Sequence, residues 1–120
     1  MPRKARVIVA GMLHHIVQRG HNRKAVFVEP DDYRYYLENL QEWKLALGIK
    51  VYSFCLMTNH VHLMVEPPED CATVSRLMKQ LAARQTRRVN KLEGRSGSMW
   101  ESRYKISPIQ RERYLLQCCR

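Results

Sequence analysis

Two histidines one residue apart, His60-Val61-His62, are the residues of this sequence best suited to chemistry. On a β-strand, side chains at i and i+2 share a face, with Cα atoms roughly 7 Å apart. Two imidazoles at that separation can converge on one divalent ion. Imidazole nitrogen suits zinc, manganese, nickel or copper, and with added oxygen ligands it accepts magnesium. The same pair can equally be two polar side chains on a half-solvated sheet face, and spacing alone leaves both readings open. A structural zinc site is closed by four ligands. The cysteines at Cys55, Cys71, Cys118 and Cys119 form no C-x-x-C pair, so reduced thiols are expected instead.

A second group of residues suits phosphate. The turn Arg19-Gly20-His21-Asn22-Arg23 carries two arginines beside His21, and charge-assisted bonds from such a turn can hold a backbone phosphate. Trp100 and Tyr104 are interleaved with Arg95, Arg103 and Lys105, a pattern that suits base stacking with phosphate neutralisation. Trp100 can also serve as a core plug. His14 and His15 are adjacent on a predicted strand, so only one of them can face the His60-His62 pair.

Charge distribution strengthens the nucleic-acid reading. The chain has a formal net charge of +10 in 120 residues. Up to Ser75 there are nine Lys/Arg against eight Asp/Glu, a net of +1. From Arg76 onward there are twelve against three, a net of +9. Arg84, Arg87 and Arg88 form the densest part of that excess and are candidate phosphate contacts. No stretch approaches the ~20 apolar residues that span a bilayer. The apolar run Val7 to Leu13 is too short for a secretory signal. No membrane partner and a cytoplasmic location are therefore expected, nucleoid-associated when DNA is bound.

These residues need a scaffold, and periodicity supplies one. Met12 to Gln18 reads as a first strand. Pro30-Asp31-Asp32 opens a helix whose apolar side recurs at Tyr33, Tyr36, Leu37, Leu40, Trp43 and Leu47, until Gly48 stops it. Ile49 to Met57 and His60 to Val65 are two strands joined by Thr58-Asn59, an antiparallel hairpin. A second helix runs from about Thr73 to Lys91, with Val74, Leu77, Met78, Leu81 and Val89 inward. Tyr104 to Ile109 is a last strand, and Arg111 begins a third helix. The order β-α-β-β-α-β-α predicts an α+β fold, a four-stranded antiparallel sheet with helices on one face, in one domain over 1–120.

Several segments in this order resemble one family. The run Cys55-Leu56-Met57-Thr58-Asn59-His60-Val61-His62-Leu63-Met64-Val65 resembles the motif of the insertion-sequence-200-like, single-tyrosine HUH transposases, in particular those associated with repetitive extragenic palindromes. Gln18 to Arg23, then Phe27 and Asp31-Asp32-Tyr33, resemble earlier segments of that family. Ser98 to Lys105 and Tyr114-Leu115-Leu116 resemble later ones. The resemblance implies a ferredoxin-like HUH nuclease arrangement with Mg²⁺ or Mn²⁺ at His60 and His62. It implies a DNA transposase, an endonuclease and transesterase that cleaves and joins hairpin-bearing single-stranded DNA through a 5′-phosphotyrosine. It leaves a homodimer open, because such relatives include both dimers and monomers. The nucleophilic tyrosine would fall directly after Arg120, so this chain is expected to end within its last helix and to lack activity. Tyr114, about two helical turns earlier, is a poor substitute. A catalytically inactive single-stranded DNA-binding module, or a gene remnant, is the alternative.

Both readings predict salt-sensitive DNA binding. If about five phosphates are neutralised, log K for single strands should fall with log[salt] with a slope of roughly −3.5. Anisotropy titrations of a hairpin-bearing strand across a salt series measure that slope, and a flat response would remove the electrostatic basis of the reading.

Overall fold

The structure is a computed structural model that describes residues 8–101 and 103–109. Six elements follow in chain order: β1 (His14–Arg19), α1 (Pro30–Leu47), β2 (Lys50–Met57), β3 (His60–Glu66), α2 (Ala72–Glu93) and β4 (Lys105–Pro108). A short 3-10 turn, His21–Arg23, follows β1. The expected third helix lies outside the described residues.

The strands form one sheet in the order β2-β3-β1-β4, with every neighbouring pair antiparallel. Both helices cross over to the same side, which is the α+β arrangement the sequence predicts. Ile16, Val61, Leu63 and Val65 point toward the helices and are sealed beneath Tyr36, Leu40, Leu77, Met78 and Leu81. Alternation along a strand places the intervening residues on the opposite face. That second face carries His15 and Arg19 from β1, His60 and His62 from β3, and Cys55 and Met57 from β2.

The helix boundaries follow from local chemistry. Pro30 stands in the first turn of α1, where a missing N–H costs nothing. The buried carboxylate of Asp32 accepts hydrogen bonds from the backbone N–H groups of Val28 (2.7 Å) and Glu29 (2.9 Å), completing a reciprocal cap. Gly48 ends the helix in a left-handed conformation, φ 72°. The inward residues predicted for α2 are all buried, and Gln85 joins them at full burial. Its amide N–H donates to the Val26 carbonyl at 3.0 Å and fastens the 20–29 loop to the helix. First-strand pairing begins at His14 rather than Met12, because Met12 is in a turn in which its N–H donates to the Val9 carbonyl at 3.2 Å.

Backbone hydrogen bonds fasten the segment after β1 to the β2–β3 hairpin turn. The Gly20 N–H donates to the Asn59 carbonyl at 2.8 Å, and the Val26 N–H donates to the Thr58 carbonyl at 2.8 Å. The fit at Gly20 leaves no room for a side chain. A Cβ there would lie 2.3 Å from the Lys24 carbonyl oxygen and 3.0 Å from a Val26 methyl. Gly20→Ala should therefore destabilise the fold by about 1–3 kcal/mol, the usual cost of forcing atoms into a packed region. Urea unfolding measures this, and an unchanged midpoint would show that the loop yields freely.

Candidate metal and nucleic-acid site

His60 and His62 occupy the beginning of β3 and stand side by side on the face away from the helices, ring centroids 4.9 Å apart. Each ring has its Nδ1 engaged. The His60 Nδ1–H donates to the Asn59 side-chain oxygen at 2.7 Å, which fixes its proton and leaves the Nε2 lone pair outward. His62 Nδ1 lies 3.0 Å from His15 Nε2, with the two rings stacked. For His62 to offer Nε2 to an ion, its Nδ1–H must donate to His15, so His15 keeps its own proton on Nδ1. Burial lowers the pKa of all three rings. The cationic Arg19 lowers His60 further, and His15, His60 and Arg19 lower His62 further. Neutral imidazoles with free Nε2 atoms are the form that a divalent ion requires.

The donor set therefore fits a divalent ion that takes two nitrogens and completes its shell with oxygen. Among the described residues, no group of three His, Cys, Asp or Glu side chains is arranged to hold a metal. His15 meets His62 through a hydrogen bond. His14 turns to the other face, fully buried, where its ring accepts the Val9 N–H at 3.1 Å and donates to the Met12 carbonyl at 2.8 Å.

A basic cavity of about 410 Å³ opens beside this pair, lined by Arg19, Gly20, Asn22, Arg23, Asn59 and Glu101. Arg19 is the cross-strand partner of His60, so the cavity adjoins the histidines through both Arg19 and Asn59. Asn22 and Arg23 hold positive φ angles of 53° and 59°, which turn the chain sharply back on itself at the cavity wall. Two arginines and two amides around an open hollow suit a backbone phosphate. His21 is exposed on the same turn. Sequence reasoning found Arg19, Arg23 and the histidine pair. It did not assign roles to Asn59, Gly20 or Glu101, although Asn59 adjoins His60 in the chain.

Residues 8–118 match the family model described as "Transposase IS200 like". The chain belongs to the IS200-like transposase family. Its fold is similar to that of a REP-associated tyrosine transposase solved with a REP hairpin, at 14% identity and a TM-score of 0.79, covering 98% of this chain and 68% of that one. It is also similar to a protein of Deinococcus radiodurans R1 described as a transposase, at 18% identity and a TM-score of 0.65, covering 98% and 95%. No curated protein sequence matches the chain significantly.

The remaining predicted contacts are dispersed. Trp100 is 8% exposed and donates its indole N–H to the Ala82 carbonyl at 3.1 Å, so most of its ring is packed within the core and is not an open stacking platform. Arg103 and Lys105 are exposed at the β4 end of the sheet. Tyr114, Cys118 and Cys119 lie outside the described residues. On α2, Arg87 is exposed, whereas Arg84 and Arg88 turn toward α1. Arg84 meets Asn39 (2.7 Å) and Glu42 (2.9 Å) and lies over the Trp43 ring. Arg88 donates to the buried Asp32 carboxylate at 2.9 Å and lies over Tyr35. These two arginines join the helices, and DNA would have to compete with carboxylates already in place.

Asp32 gives that clamp a pH signature. Burial alone would raise its pKa, but hydrogen bonds from Glu29, Val28 and Arg88, with the Arg88 charge, more than offset this and hold it below the usual carboxylate value. A depressed folded-state pKa contributes stability above the unfolded value, near 3.9, and that stability is lost as pH falls through the folded value. Arg88→Ala should cost about 1–3 kcal/mol at neutral pH by leaving a buried carboxylate without its cation. The stability gap between wild type and Asp32→Asn should narrow between pH 6 and pH 3. Urea midpoints at both pH values measure this, and a constant gap would show that Asp32 contributes no charge-dependent stability.

Proposed function

We propose that this protein binds hairpin-bearing single-stranded DNA and supplies the phosphate-activating half of a transposase site. The observation that carries the reading is the pair of outward Nε2 atoms at His60 and His62, fixed by Asn59 and His15, beside the Arg19–Arg23 cavity. The similar transposase was solved with a REP hairpin, which supports a hairpin as the DNA partner.

Arg19 and Arg23 would bind the backbone near the scissile phosphate and offset its charge. Asn59, held by Gly20, orients His60, and His15 orients His62. A Mg²⁺ or Mn²⁺ bound at the pair would polarise the scissile phosphate and stabilise charge that develops there. A tyrosine hydroxyl would then attack phosphorus, forming a phosphotyrosine bond while the 3′ oxygen leaves as a hydroxyl. By the resemblance that tyrosine would fall beyond Arg120, and residues 1–120 would then bind DNA without forming the covalent link. Location in the cytoplasm and the single-domain reading are parts of the same proposal, which leaves a homodimer open.

Calorimetric titration with Mn²⁺ should show weak binding to the wild type and a loss of at least tenfold in His60→Ala/His62→Ala. The 120-residue chain should shift a labelled hairpin strand in native gels and give no covalent band in denaturing gels. Appending the tyrosine-bearing segment should produce that band only with Mn²⁺ or Mg²⁺. Equal Mn²⁺ binding by wild type and the double variant would remove the metal assignment. A covalent band from the 120 residues, lost in Tyr114→Phe, would relocate the nucleophile. DNA binding with no covalent band from the extended chain under either metal would favour a binding module without catalysis.

A further inference from the structure

A second cavity, about 580 Å³, opens on the helix side of the sheet, between α2 and residues that include Ser98, Trp100 and Tyr104. Its size falls within the range of small-ligand sites. Gln18 lines it from the end of β1, where β4 has ceased to pair, the last partner being Lys105 opposite Val17. Gln18 is 7% exposed, yet its amide oxygen has no hydrogen-bond partner. Buried acceptors are almost always paired, so an unpartnered one in a cavity wall marks a place for a donor.

The other walls narrow the chemistry of that donor. The uncovered edge of Trp100 contributes apolar surface, while the Ser75 and Tyr104 hydroxyls are hydrogen-bonded to each other at 2.9 Å. Lys79 and Arg103 are exposed at the rim. A ligand matching all of these is planar, carries N–H donors on its edge and bears a negative charge. Those are the properties of a nucleotide. We propose that this cavity takes one unpaired nucleotide of bound DNA, with its base edge against Gln18 and its phosphate toward Lys79 and Arg103. The inference rests on the DNA-binding reading above but concerns a different site, on the opposite face from His60 and His62.

The unpartnered Gln18 oxygen accepts from an N–H on a base edge, and the 6-amino group of adenine is one such donor. Glu101 lines both this cavity and the basic one beside the histidines, and its carboxylate opposes an anion on their common side. The phosphate accordingly belongs on the Lys79 and Arg103 side. Gln18 and Arg19 are successive residues of β1, so the end of one strand serves two cavities on two faces.

The test uses Trp100 as its own reporter. The chain has two tryptophans, and Trp43→Phe leaves Trp100 alone. On that background, 2′-deoxyadenosine 5′-monophosphate should quench Trp100 fluorescence saturably, and its analogue without the 6-amino group should bind on the order of tenfold more weakly. Gln18→Leu should abolish that preference, and Lys79→Ala should weaken both nucleotides equally. Melting curves establish that each variant is folded. Should Gln18→Leu not fold, the exposed Lys79→Ala and the base preference of the parent carry the test. Anisotropy with a hairpin-bearing strand is measured in parallel. If the strand binds but neither nucleotide quenches Trp100, the cavity assignment is overturned while the DNA-binding reading stands. Quenching without base preference, or quenching indifferent to both substitutions, overturns the cavity assignment in the same way. If neither the strand nor the nucleotides bind, both readings fall.

Discussion

The geometry of the histidine site depends on a close approach of two backbones. Gly20, at the end of β1, lies against the Lys24 carbonyl and donates to the carbonyl of Asn59 in the hairpin turn. Asn59 in turn accepts the His60 Nδ1–H, so a steric constraint on one residue reaches an imidazole tautomer two contacts away. A Cβ at Gly20 would also meet a Val26 methyl, and the Val26 carbonyl accepts the Gln85 side-chain N–H. The loop that shapes the basic cavity is thus fastened to the hairpin on one side and to α2 on the other. Removing the close approach would loosen the turn that lines the basic cavity and the orientation of His60 together.

Much of the scaffold was legible in the sequence because it rests on local, periodic signals. The α1 stripe from Tyr33 to Leu47, its start at Pro30 and its stop at Gly48 are properties of neighbouring residues. The same holds for the His60-Val61-His62 spacing, whose meaning depends only on strand alternation. What sequence could not show is pairing across long separations. Arg88 looked like part of a DNA-binding surface by charge and spacing, yet its partner Asp32 lies 56 positions earlier. Trp100 could be read as a stacking platform or as a core plug, and only the chain's return past α2 reveals Ala82 as its acceptor. Strand order was likewise invisible, so the contact between His15 and His62 could be anticipated only as a choice between two adjacent histidines.

The buried polar groups show how this small fold allots its interior. Asp32, Asn39 and Gln85 are all nearly or fully buried between the helices and the loops they anchor. Asp32 caps α1 and receives Arg88, Asn39 receives Arg84, and Gln85 holds the Val26 loop. Apolar packing does not by itself distinguish one relative placement of two helices from a neighbouring one, whereas these directional contacts do. Part of the positive charge of the C-terminal half therefore serves helix registration. The exposed cations that can meet a polyanion include Arg19, Arg23, Lys79, Arg87 and Lys105.

The two faces of the sheet have different consequences for how this protein can change over generations. Ile16, Val61, Leu63 and Val65 alternate with Arg19, His60 and His62 along the same strands, yet only the first set is sealed beneath the helices. A mutation at Val61 or Leu63 damages folding and is removed by quality control in any cell that makes the chain. A mutation at His60 or His62 opens no cavity in the core, and selection for a folded protein does not detect it. If the histidine pair carries the proposed chemistry, only selection for that chemistry can retain it. A lineage released from that demand would keep its architecture long after its reactivity had gone, so an intact fold alone is no record of continued activity in this family.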